Sequence, residues 1–239
     1  LKRDYAAAIS EAYFYNPNLI PDEEAWLALR AMEEVKEDHP HDAYNHYALV
    51  DMYNQASGLD PDRLLAAAER EAAIALELSP NRQEVLFSLA KTKSLQGDYE
   101  GAIELVKQAL ALNPRVKDGH FYYGLLAFAN GDPETGYAEI KEALRLGRKW
   151  KNDNEARVVG NYFGEAGHIE EAIEFYKAAL AIDPSDVESE TKLGIAYFVN
   201  GDLDAARDAL VRVQRKIDLT KSPQYESLRA IFHNLGMSL

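Results

Sequence analysis

Apolar side chains recur at helical spacing along almost the whole chain, in blocks of about 14 residues separated by short polar stretches, which predicts a succession of helices and no strand. Sliding the chain against itself brings four segments into register: QGDYEGAI, NGDPETGY, AGHIEEAI and NGDLDAAR. Their glycines, Gly97, Gly131, Gly167 and Gly201, are spaced 34, 36 and 34 residues apart. Seven positions before each glycine stands a small residue (Ala90, Gly124, Gly160, Gly194), preceded by a large one (Leu89, Tyr123, Val159, Leu193). After each glycine come a small residue (Ala102, Gly136, Ala172, Ala206), a larger apolar one four on (Val106, Ile140, Tyr176, Leu210), then Ala109, Ala143, Ala179 and Val213. That second stripe is the inner face of an amphipathic helix.

The unit is therefore a helical hairpin. A helix of about 14 residues is roughly 21 Å long, and a glycine-bearing turn returns the chain as its antiparallel partner. Small residues at the facing positions let the two axes approach closely, and a single hairpin cannot bury its apolar stripe, so neighbours must stack. Prolines in LELSP, LALNP and LAIDP, at Pro80, Pro114 and Pro184, end one unit where the next begins.

These residues resemble the tetratricopeptide repeat, whose 34-residue pattern runs Trp-x2-Leu-Gly-x2-Tyr, then Ala-x3-Phe, Ala and Pro. The resemblance implies an all-α solenoid of hairpins in a right-handed superhelix, closed by a C-terminal capping helix. Repeats are expected at 41–80, 81–114, 115–150, 151–184 and 185–218 of a single array over 1–239. In the first of these, Leu49, Tyr53, Ala68, Ala72, Ala75 and Pro80 take the expected places around a turn lengthened near SGLDPD. Residues 1–40 read as a degenerate hairpin: a helix over 3–15, the turn NPNLIP, and a helix over 22–37 with Trp26, Leu29, Met32 and Val35 on one stripe. Residues 219–239 read as the capping helix, which repeat arrays need for solubility. The signature Trp is absent, with Leu86, His120, Ala156 and Glu190 in its place; Lys93 replaces an aromatic, and Arg148 and Asp218 stand for the terminal Pro.

By the same resemblance, the second, fifth, ninth and twelfth positions of each first helix face a concave groove. They are Tyr44, Tyr47, Asp51 and Asn54; Glu84, Phe87, Lys91 and Ser94; Asp118, Phe121, Leu125 and Phe128; Asn154, Arg157, Asn161 and Gly164; Glu188, Thr191, Ile195 and Phe198. Phe121, Leu125 and Phe128 are the expected anchors for a partner's side chains, and the alternative is that these rings pack between repeats. Arg157 and Asn161 stand where chaperone-tail-binding members hold a C-terminal carboxylate, but Lys192 occupies the place of the next Asn, so a full clamp is absent. What remains is a guanidinium fork and an amide; a local ion pair from Arg157 to Glu188 or Asp153 is the simpler state.

The chain has 239 residues, 47% hydrophobic and 28% charged, as in a folded protein. Its net charge of −14 repels phosphate backbones and puts nucleic acid outside the expected partners. Against that acidity, RLGRKWKN gathers Arg145, Arg148, Lys149 and Lys151 around Trp150, a patch suited to acidic partners, anionic glycans or lipid headgroups, or else loop cations favoured by the preceding helix dipole. With no cysteine there is no disulfide, thiolate cluster or cysteine nucleophile. Of six histidines only His39, His41 and His46 gather, at a helix junction, and no phosphate loop or nucleophile elbow occurs. No catalytic residue, metal site or cofactor is expected.

The leading expectation is a non-catalytic scaffold holding a peptide or helix of a partner protein in the groove. A second resemblance points to another class: GHFYYGLLAFANGD, GRKWKN, VVGNYFGEAGHIEEAIEFYKAALAIDP and KIDLTKSP are similar to the C-terminal repeat tails of bacterial O-antigen ligase or polymerase-like membrane proteins. It implies catalysis in a transmembrane part upstream of Leu1, with the repeats recruiting partners for polysaccharide assembly. The segment itself has no apolar run long enough to span a bilayer and no signal-peptide pattern, so no direct membrane insertion is expected of it. Self-association through the apolar groove or the first helix is the third reading.

Overall fold

A glycine followed by an aspartate makes the hairpin turns at 97–98, 131–132 and 201–202. Gly97 has φ +82°, in the left-handed region that a side chain disfavours. There its N–H donates to the Ser94 carbonyl while that of Asp98 donates to Lys93, closing the helix end. The Asp98 carboxylate then accepts the Gly101 N–H at 2.9 Å and opens the next helix. Asp132 caps in the same way through Thr135, and Asp42, Asp60, Asn152 and Asp186 cap other helices; each such cap contributes about 1 kcal/mol. Pro61 and Pro133 occupy first-turn positions, where no N–H is missed.

The computed structural model describes residues 21–216 and 225–237, with positions 4, 8, 9 and 12 before them. Among these residues the regular structure is entirely helical, and they divide into two compact units, 1–147 and 148–239. The first holds α1 (Asp22–Asp38), α2 (Ala43–Ala56), α3 (Pro61–Leu78), α4 (Gln83–Leu95), α5 (Tyr99–Leu112), α6 (Lys117–Ala129) and α7 (Pro133–Arg145). The second holds α8 (Asp153–Glu165), α9 (Ile169–Ile182), α10 (Val187–Asn200), α11 (Leu203–Lys216) and α12 (Tyr225–Asn234). The boundary falls at Gly147 and Arg148, inside RLGRKWKN, where the glycine spacing lengthens from 34 to 36. The expected helix over 3–15, the turn that follows it and residues 217–224 lie outside the described residues. No described helix is long and apolar enough to cross a membrane.

Helices pair as α2 with α3, α4 with α5, α6 with α7, α8 with α9 and α10 with α11. The second-helix stripe read from the sequence lies at these contacts: Ala102, Val106, Ala109, Ile140, Ala143, Ala172, Ala179, Ala206, Leu210 and Val213 are completely buried. Opposite Ile140 stands Gly124, where a Cβ would come within 2.8 Å of Ile140 and 2.9 Å of the Gly136 carbonyl oxygen, so close approach of α6 and α7 requires the glycine.

In the first unit Leu29 and Met32 of α1 join Leu49, Val50, Tyr53, Leu64, Ala68 and Ala72, with Trp26 and Val35 at the edge. Each large side chain so buried contributes about 1.5–3 kcal/mol. In the second unit Phe163 is fully buried and stacks on Phe175 at 4.8 Å, and Trp150 meets Phe175 edge-on at 5.6 Å. Leu228 and Phe232 of α12, with Leu235 just after it, lie over Leu210 and Val213 and cap the last hairpin.

Candidate functional site

In the first unit the face made by α2 and α4 is polar and cross-linked. Ser88 donates to the Asp51 carboxylate at 2.7 Å, Tyr47 donates to the same group at 3.3 Å, and Asn54 donates to the Ser88 carbonyl while accepting from Thr92. Burial, helped by Asp51 and Glu84, pushes the Tyr47 hydroxyl up to about 12. Burial also lowers the Lys91 ammonium, against the opposing pull of Asp51. Tyr44, 41% exposed, lies edge-on to Tyr47 at 5.9 Å, and the Arg82 guanidinium sits 5.5 Å from both ring centres. Glu84 lies 3.9 Å from that guanidinium.

Of the aromatics counted into the groove, Phe121 is buried, and Phe87 and Phe128 are half-buried against neighbouring glycines. Phe121 is only 6% exposed. The Phe87 ring fills the space beside Gly119 of the following hairpin, where a Cβ would meet its Cζ at 2.6 Å; Phe128 lies flat on Gly136, 2.9 Å from where a Cβ would stand. Leu125 and Ser94 are half-buried, and Ser94 shares a hydrogen bond with Tyr122. For Phe87 and Phe128 the available signal was the glycine facing the ring, Gly119 and Gly136.

In the second unit Arg157 bridges α8 to the start of α10: it pairs with Glu188 at 2.5 Å and Asp186 at 3.5 Å, and donates to Asn154 at 2.7 Å. Thr191 is buried and donates to the Val187 carbonyl, while Phe198 and Ile195 lean partly buried against the Leu210 and Phe232 cluster. Between α8, α9 and α10 a pocket of about 200 Å³ opens, lined by Asn161, Gly164, Tyr176, Lys192, Ile195 and Val199 among others. Three of these, Asn161, Gly164 and Ile195, are groove positions counted from the sequence. Tyr176 donates to Asn161 Oδ1 at 2.9 Å, which leaves the amide nitrogen as a donor. Burial, with Glu165 and Glu188 nearby, pushes the Tyr176 hydroxyl up to about 12, so it stays a donor at neutral pH. Val199 is 60% exposed, and Ile169 and Ala172 complete an apolar wall.

The basic segment divides. Arg145 is paired two-pronged with Glu142 at 2.5 and 2.6 Å. Arg148 is buried, with its guanidinium on Glu155 at 2.5 and 3.0 Å, a carboxylate that also accepts the Lys151 N–H. Trp150 lies between Phe175 and Arg148. Lys149 and Lys151 remain exposed. Among the described residues no group of three or more His, Asp or Glu side chains is placed to hold a metal ion.

Antiparallel hairpins with glycine turns, small residues at the facing positions and a 34-residue period define a helical-hairpin repeat protein. Two family models described as tetratricopeptide repeat match residues 87–150 and 165–231, between them more than half of the chain, which belongs to the tetratricopeptide repeat family. A similar sequence is the TPR repeat-containing protein MJ1428 of Methanocaldococcus jannaschii, 25% identical over 146 residues, covering 61% of this chain and 24% of that one. The chain spans about a quarter of the length of the first curated relatives it matches. Among solved structures, PilF of Pseudomonas aeruginosa superposes with a TM-score of 0.66 at 20% identity, covering 96% of this chain and 97% of that one. YrrB, described as a TPR protein with an unusual peptide-binding site, superposes with 0.60 at 17% identity, over 77% and 90%. These likenesses are of fold.

Proposed function

We propose that the chain is a non-catalytic protein-interaction scaffold, and that the pocket between α8, α9 and α10 anchors an extended stretch or helix of a partner protein. The observation that carries this reading is the convergence there of three groove positions with Lys192, a half-buried residue that forms no ion pair among the described residues of a chain of net charge −14. Asn161 offers an amide N–H to a backbone carbonyl, Lys192 offers charge to an acidic group, and Ile169, Ile195 and Val199 take an apolar side chain. Gly164 keeps the floor open. The family supports a protein ligand, and the peptide-binding site described for YrrB supports a peptide.

The test is selection of displayed random peptides on the immobilised chain, followed by titration of the selected peptide. Lys192→Ala and Ile195→Asp are expected to weaken binding at least about tenfold, the cost of about 1.4 kcal/mol, with helical ellipticity retained. Undiminished binding by both folded variants would overturn the assignment.

A further inference from the structure

His46 and His120 stand at the same place in their repeats, where the tetratricopeptide pattern carries Trp, and each makes the same two contacts. His46 Nδ1 lies 2.5 Å from Glu71 Oε2 and its Nε2 lies 2.9 Å from the Pro40 carbonyl oxygen. His120 Nδ1 lies 2.6 Å from Glu139 Oε2 and its Nε2 lies 2.9 Å from the Pro114 carbonyl oxygen. Glu71 and Glu139 are also equivalent, three residues after Ala68 and Gly136 on the second helix of each hairpin. The other three repeats pair Leu86 with Leu105, Ala156 with Phe175 and Glu190 with Ala209, so His and Glu occur together or not at all.

All four partner oxygens are acceptors. An imidazole that satisfies a carboxylate and a carbonyl at once needs an N–H on each nitrogen, and it has both only as the imidazolium. The last repeat makes the corresponding junction with other basic side chains: Lys216 donates to the Pro184 carbonyl at 2.7 Å, and Arg212 donates to Glu190 at 2.9 Å. We propose that His120 is a proton-operated latch, tying the start of α6 to the preceding Pro114 and to α7 of its own hairpin, and released when the ring loses its second proton; His46 repeats the geometry.

The charged surroundings differ between the copies. His46 is buried and faces Glu71 from α3, which Lys36 of α1 also pairs at 3.2 Å. His120 is 13% exposed and faces Glu139 and Glu142 from α7, with Glu142 already engaged by Arg145. Helix α5, packed against α6, adds no charged group to this set. Burial lowers the affinity of His120 for its proton, but the Glu139 bond, the Pro114 carbonyl and the two carboxylate charges together raise it above the usual histidine value of 6.5. A raised folded value means that the contribution to stability is full below pH 6.5 and is lost as pH climbs through the folded pKa. Within that window, opening of the α6 start increases by at most about tenfold per pH unit.

The experiment is a pH titration of the intact chain by side-chain ¹⁵N NMR, with hydrogen exchange read at the Gly119 and His120 amides, both of which donate to the Val116 carbonyl. We expect His120 to carry two N–H protons at pH 6.5, with a midpoint above that value. We also expect amide protection, corrected for intrinsic exchange, to fall on the alkaline side. Glu139→Gln should bring the midpoint down and His120→Gln should flatten the pH dependence of protection. A wild-type His120 midpoint at or below 6.5 overturns the latch without recourse to any variant, and so does a folded His120→Gln that keeps the wild-type slope.

Discussion

Two alanine substitutions one turn apart on α8 should differ clearly in stability. At Gly160 a Cβ would stand 2.8 Å from Tyr176 Cε1, 2.9 Å from its Cδ1 and 3.3 Å from the Phe175 Cβ. That ring cannot swing aside, because it is 4% exposed and its hydroxyl is tied to Asn161. At Gly164 the nearest atoms would be the Tyr176 hydroxyl at 3.5 Å and the Ala172 Cβ at 3.8 Å, ordinary contact distances. Helix propensity favours alanine over glycine by about 1 kcal/mol at both sites, so it cancels in the comparison. Overpacking costs about 1–3 kcal/mol and acts only at Gly160. Gly164→Ala should therefore stabilise the chain by about 1 kcal/mol, with Gly160→Ala less stable than it by about 1–3 kcal/mol. Urea unfolding followed by helical ellipticity measures both. Midpoints that agree to within about 0.5 kcal/mol, or Gly164→Ala the less stable of the two, would refute the close-approach argument.

Phe163→Ala should cost about 3–5 kcal/mol, because a fully buried ring stacked on Phe175 leaves a cavity; a loss below about 1 kcal/mol in the same unfolding assay would contradict that packing. Arg148→Met should cost about 2–3 kcal/mol, discounted for the partial exposure of Glu155, and a double-mutant cycle with Glu155→Gln should return most of that as coupling. Burial pulls the Glu155 pKa upward, but the Arg148 and Lys151 donors outweigh it and hold the carboxyl below its ordinary 4.5. The pair's stabilisation is therefore present above pH 4.5 and lost as pH falls through the lower folded value, so Arg148→Met should flatten the acid limb of a stability-against-pH curve. Phe121→Asp should unfold its hairpin rather than probe a groove, since the ring is buried; a folded variant with an unchanged melting temperature would restore Phe121 to the surface.

The period was legible because the turn glycines and the small residues seven before them are spaced by the helix pair itself. Any pairing of 14-residue helices with axes this close needs Ala or Gly at those positions, so the stripe from Ala102 to Val213 could be read without coordinates. The side of the helix that a ring serves was less legible. Phe87, Phe121 and Phe128 occupy groove positions by count, yet Gly119 and Gly136 leave hollows that Phe87 and Phe128 fill. A position count along one helix carries no information about the helix across from it. Charge pairing failed for a related reason in the basic segment: Arg148 finds Glu155 across a turn that is not helical, where i,i+4 reasoning does not reach. Arg157 and Glu188 were legible as a pair, because equal repeats put successive first helices side by side. The histidine–glutamate pairs escaped notice because Glu71 and Glu139 lie 25 and 19 residues from their rings, although their shared repeat position was the available signal.

The most direct test of the scaffold is a ¹H–¹⁵N map of the chain titrated with a peptide selected on it. Shifts are expected to saturate together at Asn161, Gly164, Lys192 and Ile195, and to be lost in the stabilised Gly164→Ala variant, whose methyl narrows the pocket. Shifts confined to residues outside that pocket, with Gly164→Ala binding as tightly as wild type, would contradict it.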